Sequence, residues 1–154
     1  MDIPNVGRFA VVGDPDHAYL SLFKSAQGDP PAGGMPGVGT FCWETLATKD
    51  VERAKAFYGT VVGWKVGPGP GGNADMPVFA SGDVQVADVQ QAQGMPPSWM
   101  TYVVVEKLED ANARATKLGG TIVVPLIEVP HVGRISLMRD PTGAHLGLFQ
   151  PQMG

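Results

Sequence analysis

The sequence predicts an α+β fold made of two tandem β-α-β-β-β units. Two amphipathic helical segments each follow a strand-like run of aromatic and β-branched residues, and each ends at glycine. The two segments are also in step, since Asp50 and Lys107 at the helix starts and Gly63 and Gly120 at the helix ends are both 57 residues apart. A fixed spacing of this kind indicates a duplicated structural unit.

The first unit begins with a predicted strand at residues 41–47. Asp50 then takes the N-cap position of a helix, and Glu52 in the first turn is favoured by the helix dipole. Helical spacing gives this segment one apolar face, formed by Val51, Ala54, Phe57, Tyr58 and Val61. Further strands are predicted at residues 64–66, 76–80 and 83–89, with a glycine-rich loop at 67–74.

The second unit repeats this order. A β-branched run at residues 100–105 precedes an amphipathic helix that carries Leu108, Ala111, Ala115 and Leu118 on one face. Two glycines end that helix, and strands are predicted at residues 121–124, 134–138 and 144–149.

The beginning and the end of the chain share a sequence. Residues 3–25 align with residues 129–151 at a constant offset of 126, with ten identities in 23 positions. Two strands are therefore predicted in the first copy, at residues 9–12 and 19–23, like those of the second. Arg8 and Arg134 occupy the same position of the repeat, and we expect each to anchor a turn or a carboxylate, first of all the aspartate of the following turn, rather than a ligand.

The repeat sets the expected domain organisation. Residues 1–25 are interpreted as a partial copy of the last strands of a preceding domain, and residues 26–38 as a Gly/Pro-rich linker. Residues 39–151 form the complete domain, with units at about 39–97 and 98–151.

Composition excludes several classes of partner. The net charge is −4, and no basic stripe interleaves with aromatic residues, so nucleic acid is not an expected partner. Cys42 is the single cysteine, which rules out an internal disulfide, and we expect it to be a small buried apolar residue. No apolar run reaches membrane-spanning length and the N-terminus lacks a signal-peptide pattern, so a cytoplasmic protein without membrane contact is expected.

Three motifs resemble the vicinal oxygen chelate superfamily, which includes glyoxalase I, extradiol dioxygenases and bleomycin-resistance proteins. They are the D-x-x-x-A-x-x-F-Y helix that starts at Asp50, the L-G-G helix end at Leu118 and the D-P-T-G turn at Asp140. The resemblance covers residues 39–151. The phrases FCWETLATKDVERAKAFYGTVVGW and GMPPSWMTYVVVE are most similar to actinobacterial two-domain glyoxalase-like proteins.

The resemblance implies a cleft between curved sheets in which catalytic members hold a divalent metal through four strands. The corresponding positions here are held by Trp43, by Met100, by Gly147 and, near Val86, by Gln85 or Asp88. Because Trp, Met and Gly supply no hard N or O ligand, we expect a metal-free cleft without a cofactor, a divalent metal being the alternative. Glu44 does not restore the ligand set, since strand alternation turns it outward.

The same alternation gives the side chains expected to line the cleft. These ligand-binding candidates are Trp43, Thr45, Met100, Tyr102, His145 and Phe149. A mostly apolar concave surface with a few polar groups is typical of small-molecule sites, although such residues can also simply fill an interior. His145 is the one histidine on this face and the weak candidate for an acid or base, the catalytic residues being otherwise unknown.

The sequence thus predicts a metal-free protein that binds or sequesters an apolar or aromatic small molecule, in the manner of bleomycin-resistance proteins. The alternative is a superfamily enzyme, acting as a lyase, isomerase, dioxygenase or hydroxylase-like protein. A third interpretation is a structural remnant of a two-domain protein. A homodimer is expected, with exchange through the N-terminal hairpin as one route.

Overall fold

The computed structural model describes residues 1–28 and 36–152, and this part of the chain holds eleven strands and two helices. The predicted α+β, glyoxalase-like fold is confirmed. None of the helices in the described part is long and apolar enough to cross a membrane. In chain order the elements are β1 (Asp2–Ile3), β2 (Gly7–Gly13), β3 (Tyr19–Ser25), β4 (Phe41–Thr48), α1 (Val51–Val61), β5 (Lys65–Gly69), a 3-10 turn (Pro70–Gly72), β6 (Asn73–Ser81), β7 (Val84–Gln91), β8 (Ser98–Val104), α2 (Leu108–Lys117), β9 (Thr121–Val129), β10 (Gly133–Arg139) and β11 (His145–Pro151).

The described residues form two compact units. Unit 1 takes its residues from Met1–Gly34 and Thr45–Trp99, and unit 2 from Met35–Glu44 and Met100–Gly154. The N-terminal segment therefore belongs to the same unit as α1. The predicted domain limits at residues 25 and 38 stay predictions.

Unit 1 is organised around α1. Asp50 caps the helix as predicted, because its carboxylate accepts a hydrogen bond from the Arg53 amide at 3.0 Å. β5, β6 and β7 form an antiparallel meander, and β7 continues in parallel with β4. The helix packs its apolar face on these strands, and the buried core consists of Ala18, Leu46, Ala54, Tyr58, Phe79, Ala87 and Val89.

The expected loop at residues 67–74 is largely regular structure. β5 continues to Gly69, which pairs with Asn73 across the 3-10 turn. Gly71 makes this tight connection possible, since its φ of 68° lies in the left-handed region that favours glycine. Glycine-rich sequence here indicates a sharp turn rather than an unstructured loop.

Unit 2 contains α2 and the strands β8, β11, β10 and β9. β8 pairs with β11 in parallel, and the remaining pairs are antiparallel. α2 buries Leu108 and Ala111 against Leu148 of β11. Its cap comes from the sheet, because the Gln150 side chain accepts a hydrogen bond from the Leu108 amide at 2.8 Å and Lys107 makes no side-chain cap.

The repeated sequences adopt the same local structure. In the first copy Gly7 pairs with Ser25, and in the second Gly133 pairs with Pro151. The offset of 126 holds along the whole hairpin, and it extends to β1, which is the counterpart of the end of β9. The shared register is consistent with the ten identities between the two hairpin sequences.

Candidate functional site

One sheet face of unit 2 carries an aromatic ring directly over a glycine. Gly147 of β11 is paired with Tyr102 of β8, and the Tyr102 ring lies across it. A Cβ at position 147 would lie 2.6 Å from Cγ of this ring, far inside van der Waals contact. Tyr102 is 5% exposed. The ring therefore occupies the space that any side chain at position 147 would need.

A similar arrangement occurs two residues further along β11, on the same face of the sheet. Phe149 lies over Gly133 of β10, where a Cβ would come within 2.8 Å of Cε2 of the phenyl ring. Phe149 is only half-buried, so part of its ring remains accessible. We call Tyr102, Gly147, Phe149 and Gly133 the aromatic floor of unit 2. At both glycines an aromatic ring fills the space that a side chain would need.

The other predicted site residues differ in their positions. Met100 is buried at 5% exposure, Trp43 on β4 is half-buried, and His145 is exposed at the start of β11. These three belong to unit 2, as the aromatic floor does. Thr45 belongs to unit 1, where it is buried and donates a hydrogen bond from Oγ1 to Asp88 Oδ1 at 2.6 Å.

The residues present do not fit a divalent metal of the kind that catalytic superfamily members hold. Trp43, Met100 and Gly147 offer no hard ligand atom, and the Tyr102 ring closes the place of the last carboxylate. Among the residues that the structure describes, no three His, Cys, Asp or Glu side chains are grouped so as to hold a metal. Gln85 points its amide to the carbonyl of Pro68 at 3.5 Å and is exposed.

Glu44 lies in a setting that sequence reasoning missed. Strand alternation predicted only that Glu44 turns outward; in the structure Glu44 is half-buried and accepts a hydrogen bond from Thr101 Oγ1 at 2.6 Å. Burial raises the pKa of Glu44, and the bond from Thr101 opposes that rise. Nearby, Cys42 is also half-buried and donates to the carbonyl of Tyr102 at 3.4 Å. Burial is the main cause that raises the pKa of the Cys42 thiol, and the charge of Glu44 raises it further.

Each of the two repeat arginines binds a carboxylate, as predicted, but the prediction that this is the aspartate of the following turn was wrong. Arg134 donates to Glu109 Oε1 at 2.6 Å and to Gln150 Oε1 at 3.0 Å, and Arg8 donates to Asp2 Oδ1 at 2.5 Å. Neither contacts the aspartate of its turn, because the turn aspartates are already used by amides of their own turns. A repeat position shows that a residue type was retained, but its partner depends on the neighbouring element.

Comparison with known proteins agrees with this fold. Residues 40–78 match the family model for the bleomycin resistance protein-like N-terminal region. CFP32 of Mycobacterium tuberculosis, whose name assigns it provisionally to the glyoxylases, is 34% identical over 119 residues, which cover 73% of this chain and 46% of CFP32. The anthracycline biosynthesis protein DauV of a Streptomyces species is 30% identical over 156 residues, covering 97% of this chain and 55% of DauV. The chain thus spans about half the length of these relatives.

A solved structure gives the same fold at low sequence identity. The Mn(II)-bound glyoxalase from Novosphingobium aromaticivorans superposes with a TM-score of 0.52 and 16% identity, over 73% of this chain and 39% of that one. Together, the motifs, the matched family region and the relatives assign the protein. The chain belongs to the glyoxalase, bleomycin-resistance and dioxygenase superfamily, also called the vicinal oxygen chelate superfamily.

Proposed function

We propose that this protein binds a planar aromatic small molecule on the aromatic floor of unit 2 and that it does so without a metal. The contact between Tyr102 and Gly147 carries the proposal, because an aromatic ring fills the position that corresponds to a metal-binding carboxylate in catalytic members of the superfamily. The protein then acts by holding its ligand, as a sequestering or carrier protein does.

The shape and chemistry of the floor favour a flat ligand. Phe149 keeps part of its ring accessible, and aromatic rings attract one another when stacked with an offset. The half-buried indole of Trp43 can add a second aromatic contact, and exposed His145 can hydrogen-bond to a polar substituent. DauV is named for anthracycline biosynthesis, and anthracyclines are fused planar ring systems. This name supports the same class of ligand for the present chain.

The test is a thermal-shift titration with a hydroxyanthraquinone, a simple planar fused-ring probe. A ligand that prefers the folded state increases the free energy of unfolding by mass action, by about 2.7 kcal/mol at a ligand concentration of 100 times Kd. The melting temperature rises as a result. Phe149→Ala should remove most of the shift. Phe23→Ala is the matched control, since the Phe23 ring lies over Gly7 in the same way but in unit 1, and it should leave the shift intact. A shift that survives Phe149→Ala places the ligand elsewhere and contradicts the proposal.

The metal-free part of the proposal has its own measurement. Elemental analysis after dialysis should show no stoichiometric manganese, iron, nickel or zinc. About one metal per chain would overturn this part, and metal-dependent turnover of a catechol or of a hemithioacetal would favour the enzyme alternative. If neither a thermal shift nor a metal is found, the interpretation as a structural remnant gains support.

A further inference from the structure

β3 leaves one of its edges uncovered. In the described residues β3 pairs with β2 alone, whereas its counterpart β11 lies between β10 and β8. An uncovered edge presents a row of backbone N–H and C=O groups to any strand that can align with it. Within the described residues, no strand takes the position beside β3 that β8 takes beside β11.

The β3 edge also lacks the features with which proteins protect such edges. β9 contains Pro125 and shifts register twice along β10, and β5 contains Pro68 with a register shift near Gly69. β3 has no proline and no register shift, and Lys24 is its single charge. Of these three strands, β3 is therefore the one open to regular pairing.

Hydrogen-bond alternation shows which groups face outward. The amide of Ala26 donates to the Val6 carbonyl at 2.9 Å, and the amide of Asp14 donates to the Ala18 carbonyl at 2.9 Å. Since bonded pairs alternate along an antiparallel ladder, the even-numbered residues of β3 bond to β2. The backbone groups of Tyr19, Ser21 and Phe23 then point to the open edge.

The side chains next to this edge are apolar and exposed. Tyr19 is 64% exposed, Phe23 is 55% exposed, and Val11, opposite Ser21 on β2, is 60% exposed. All three lie on one face of the hairpin, because directly paired residues point to the same side of an antiparallel sheet. Pairing at the β3 edge would extend this face across two molecules.

We propose that β3 pairs with β3 of a second copy of this chain, antiparallel, across a twofold axis at Leu22. Ser21 then lies opposite Phe23 of the partner subunit, and Tyr19 lies opposite Ser25 of the partner subunit. Centring on Leu22 aligns all seven residues of β3 and places the outward-facing odd-numbered groups opposite one another. A twofold pairing is self-complementary, so a second copy always presents the matching edge.

Position 21 argues against the other route to a dimer, in which the hairpin exchanges onto β8 of a neighbour. β11 fits β8 because Gly147 leaves room for the Tyr102 ring, and the equivalent residue of β3 is Ser21. A serine there would collide with that ring. Edge-to-edge pairing needs no such space.

The experiment measures the mass of the full chain in solution by light scattering coupled to size exclusion, over a range of micromolar concentrations. The unchanged protein should be a dimer. The double variant Ser21→Glu with Phe23→Glu should be a monomer, because like charges then lie opposite each other. The variant Ser21→Lys with Phe23→Glu should restore the dimer, in a salt-sensitive form, if the axis passes through Leu22.

A second variant keeps the test valid if the Phe23 changes disturb the hairpin, since this ring packs over Gly7. Ser21→Pro removes an amide that faces the open edge and leaves the bonds to β2 in place, so it should also give a monomer with an unchanged melting curve at low concentration. A monomeric unchanged protein would overturn the proposal. A dimer that persists in Ser21→Pro, whether it forms by exchange or through another surface, would overturn it as well.

Discussion

The two copies of the repeat have the same hairpin and different surroundings. β10 and β11 lie against α2 and beside β8, while β2 and β3 contact the rest of unit 1 mainly through the turn that joins them. Both turns are closed in the same manner, since Asp14 and Asp140 each accept bonds at 2.8–2.9 Å from the amides two and four residues later. The difference therefore lies in what each turn offers to its neighbours.

One position of the turn accounts for much of this difference. Thr142 donates its hydroxyl back to Asp140 at 2.8 Å, so the second turn is self-contained. Its counterpart Asp16 accepts bonds from Thr48 Oγ1 at 2.7 Å and from the Lys49 amide at 2.8 Å, and it also binds the Arg53 guanidinium. The carboxylate thus holds the first copy at the start of α1, where positive partial charge favours an anion. Asp16 therefore gives the first turn a polar contact with α1 that Thr142 does not make in the second turn.

The largest expected effect concerns position 147 and its counterpart 21. Gly147→Ser should destabilise the protein by about 1–3 kcal/mol, because the new side chain must displace the buried Tyr102 ring. Ser21→Gly should cost less than about 1 kcal/mol, the usual penalty for glycine in a strand. Urea unfolding of both variants measures the contrast.

A double-mutant cycle identifies the cause. In a Tyr102→Ala background the ring is gone, so the cost of Gly147→Ser should fall close to zero. An equal cost in both backgrounds would show that glycine is needed at position 147 for another reason.

The next effect concerns the contact between the first turn and α1. The hydroxyl of Tyr58 donates to Asp14 Oδ2 at 3.1 Å and accepts a bond from the Trp99 indole at 3.0 Å. Burial is the main cause that raises the pKa of this tyrosine well above its usual range, so the hydroxyl stays protonated and able to donate. Tyr58→Phe removes this partner from the buried Asp14 carboxylate and from the half-buried Trp99 indole, and should destabilise unit 1 by about 1–3 kcal/mol.

Urea unfolding gives this value, and limited proteolysis should show earlier cleavage in residues 1–28 of the variant. Tyr19→Phe is the matched control, since Tyr19 is 64% exposed on the same hairpin and its hydroxyl change should have little effect. Equal behaviour of the two variants would contradict a docking role for Tyr58.

Sequence alone was sufficient for the parts of the fold that local chemistry determines. Both helices follow from apolar spacing and glycine ends, and Asp50 was correctly predicted as a cap. The partners of Arg134 and Glu44 were not predictable, because Glu109 and Thr101 lie on other elements whose placement depends on tertiary packing. Gly147 was interpreted as a missing ligand, and its contact with an aromatic ring required the register between two strands distant in sequence.

The smallest expected effect is a pH dependence at the added acid of the first turn. The bond from Thr48 is the main cause that lowers the pKa of Asp16 below its ordinary value of 3.8, so the folded protein binds fewer protons there than the unfolded chain does. The resulting stabilisation is fully present above pH 3.8 and is lost as the pH falls through the lowered native pKa. Asp16→Asn should therefore reduce stability at neutral pH, and its difference from the unchanged protein should shrink in acid. Urea midpoints from about pH 7 to about pH 2 measure this difference.

Asp140, whose pKa is also lowered, is present in both proteins and cancels. Thr142→Ala is the companion variant at the equivalent position, and because the Thr142 bond is the main cause that lowers the pKa of Asp140, its smaller difference should also shrink in acid. A difference for Asp16→Asn that stays constant down to the lowest pH would show that its carboxylate docks the first copy through shape and not through charge.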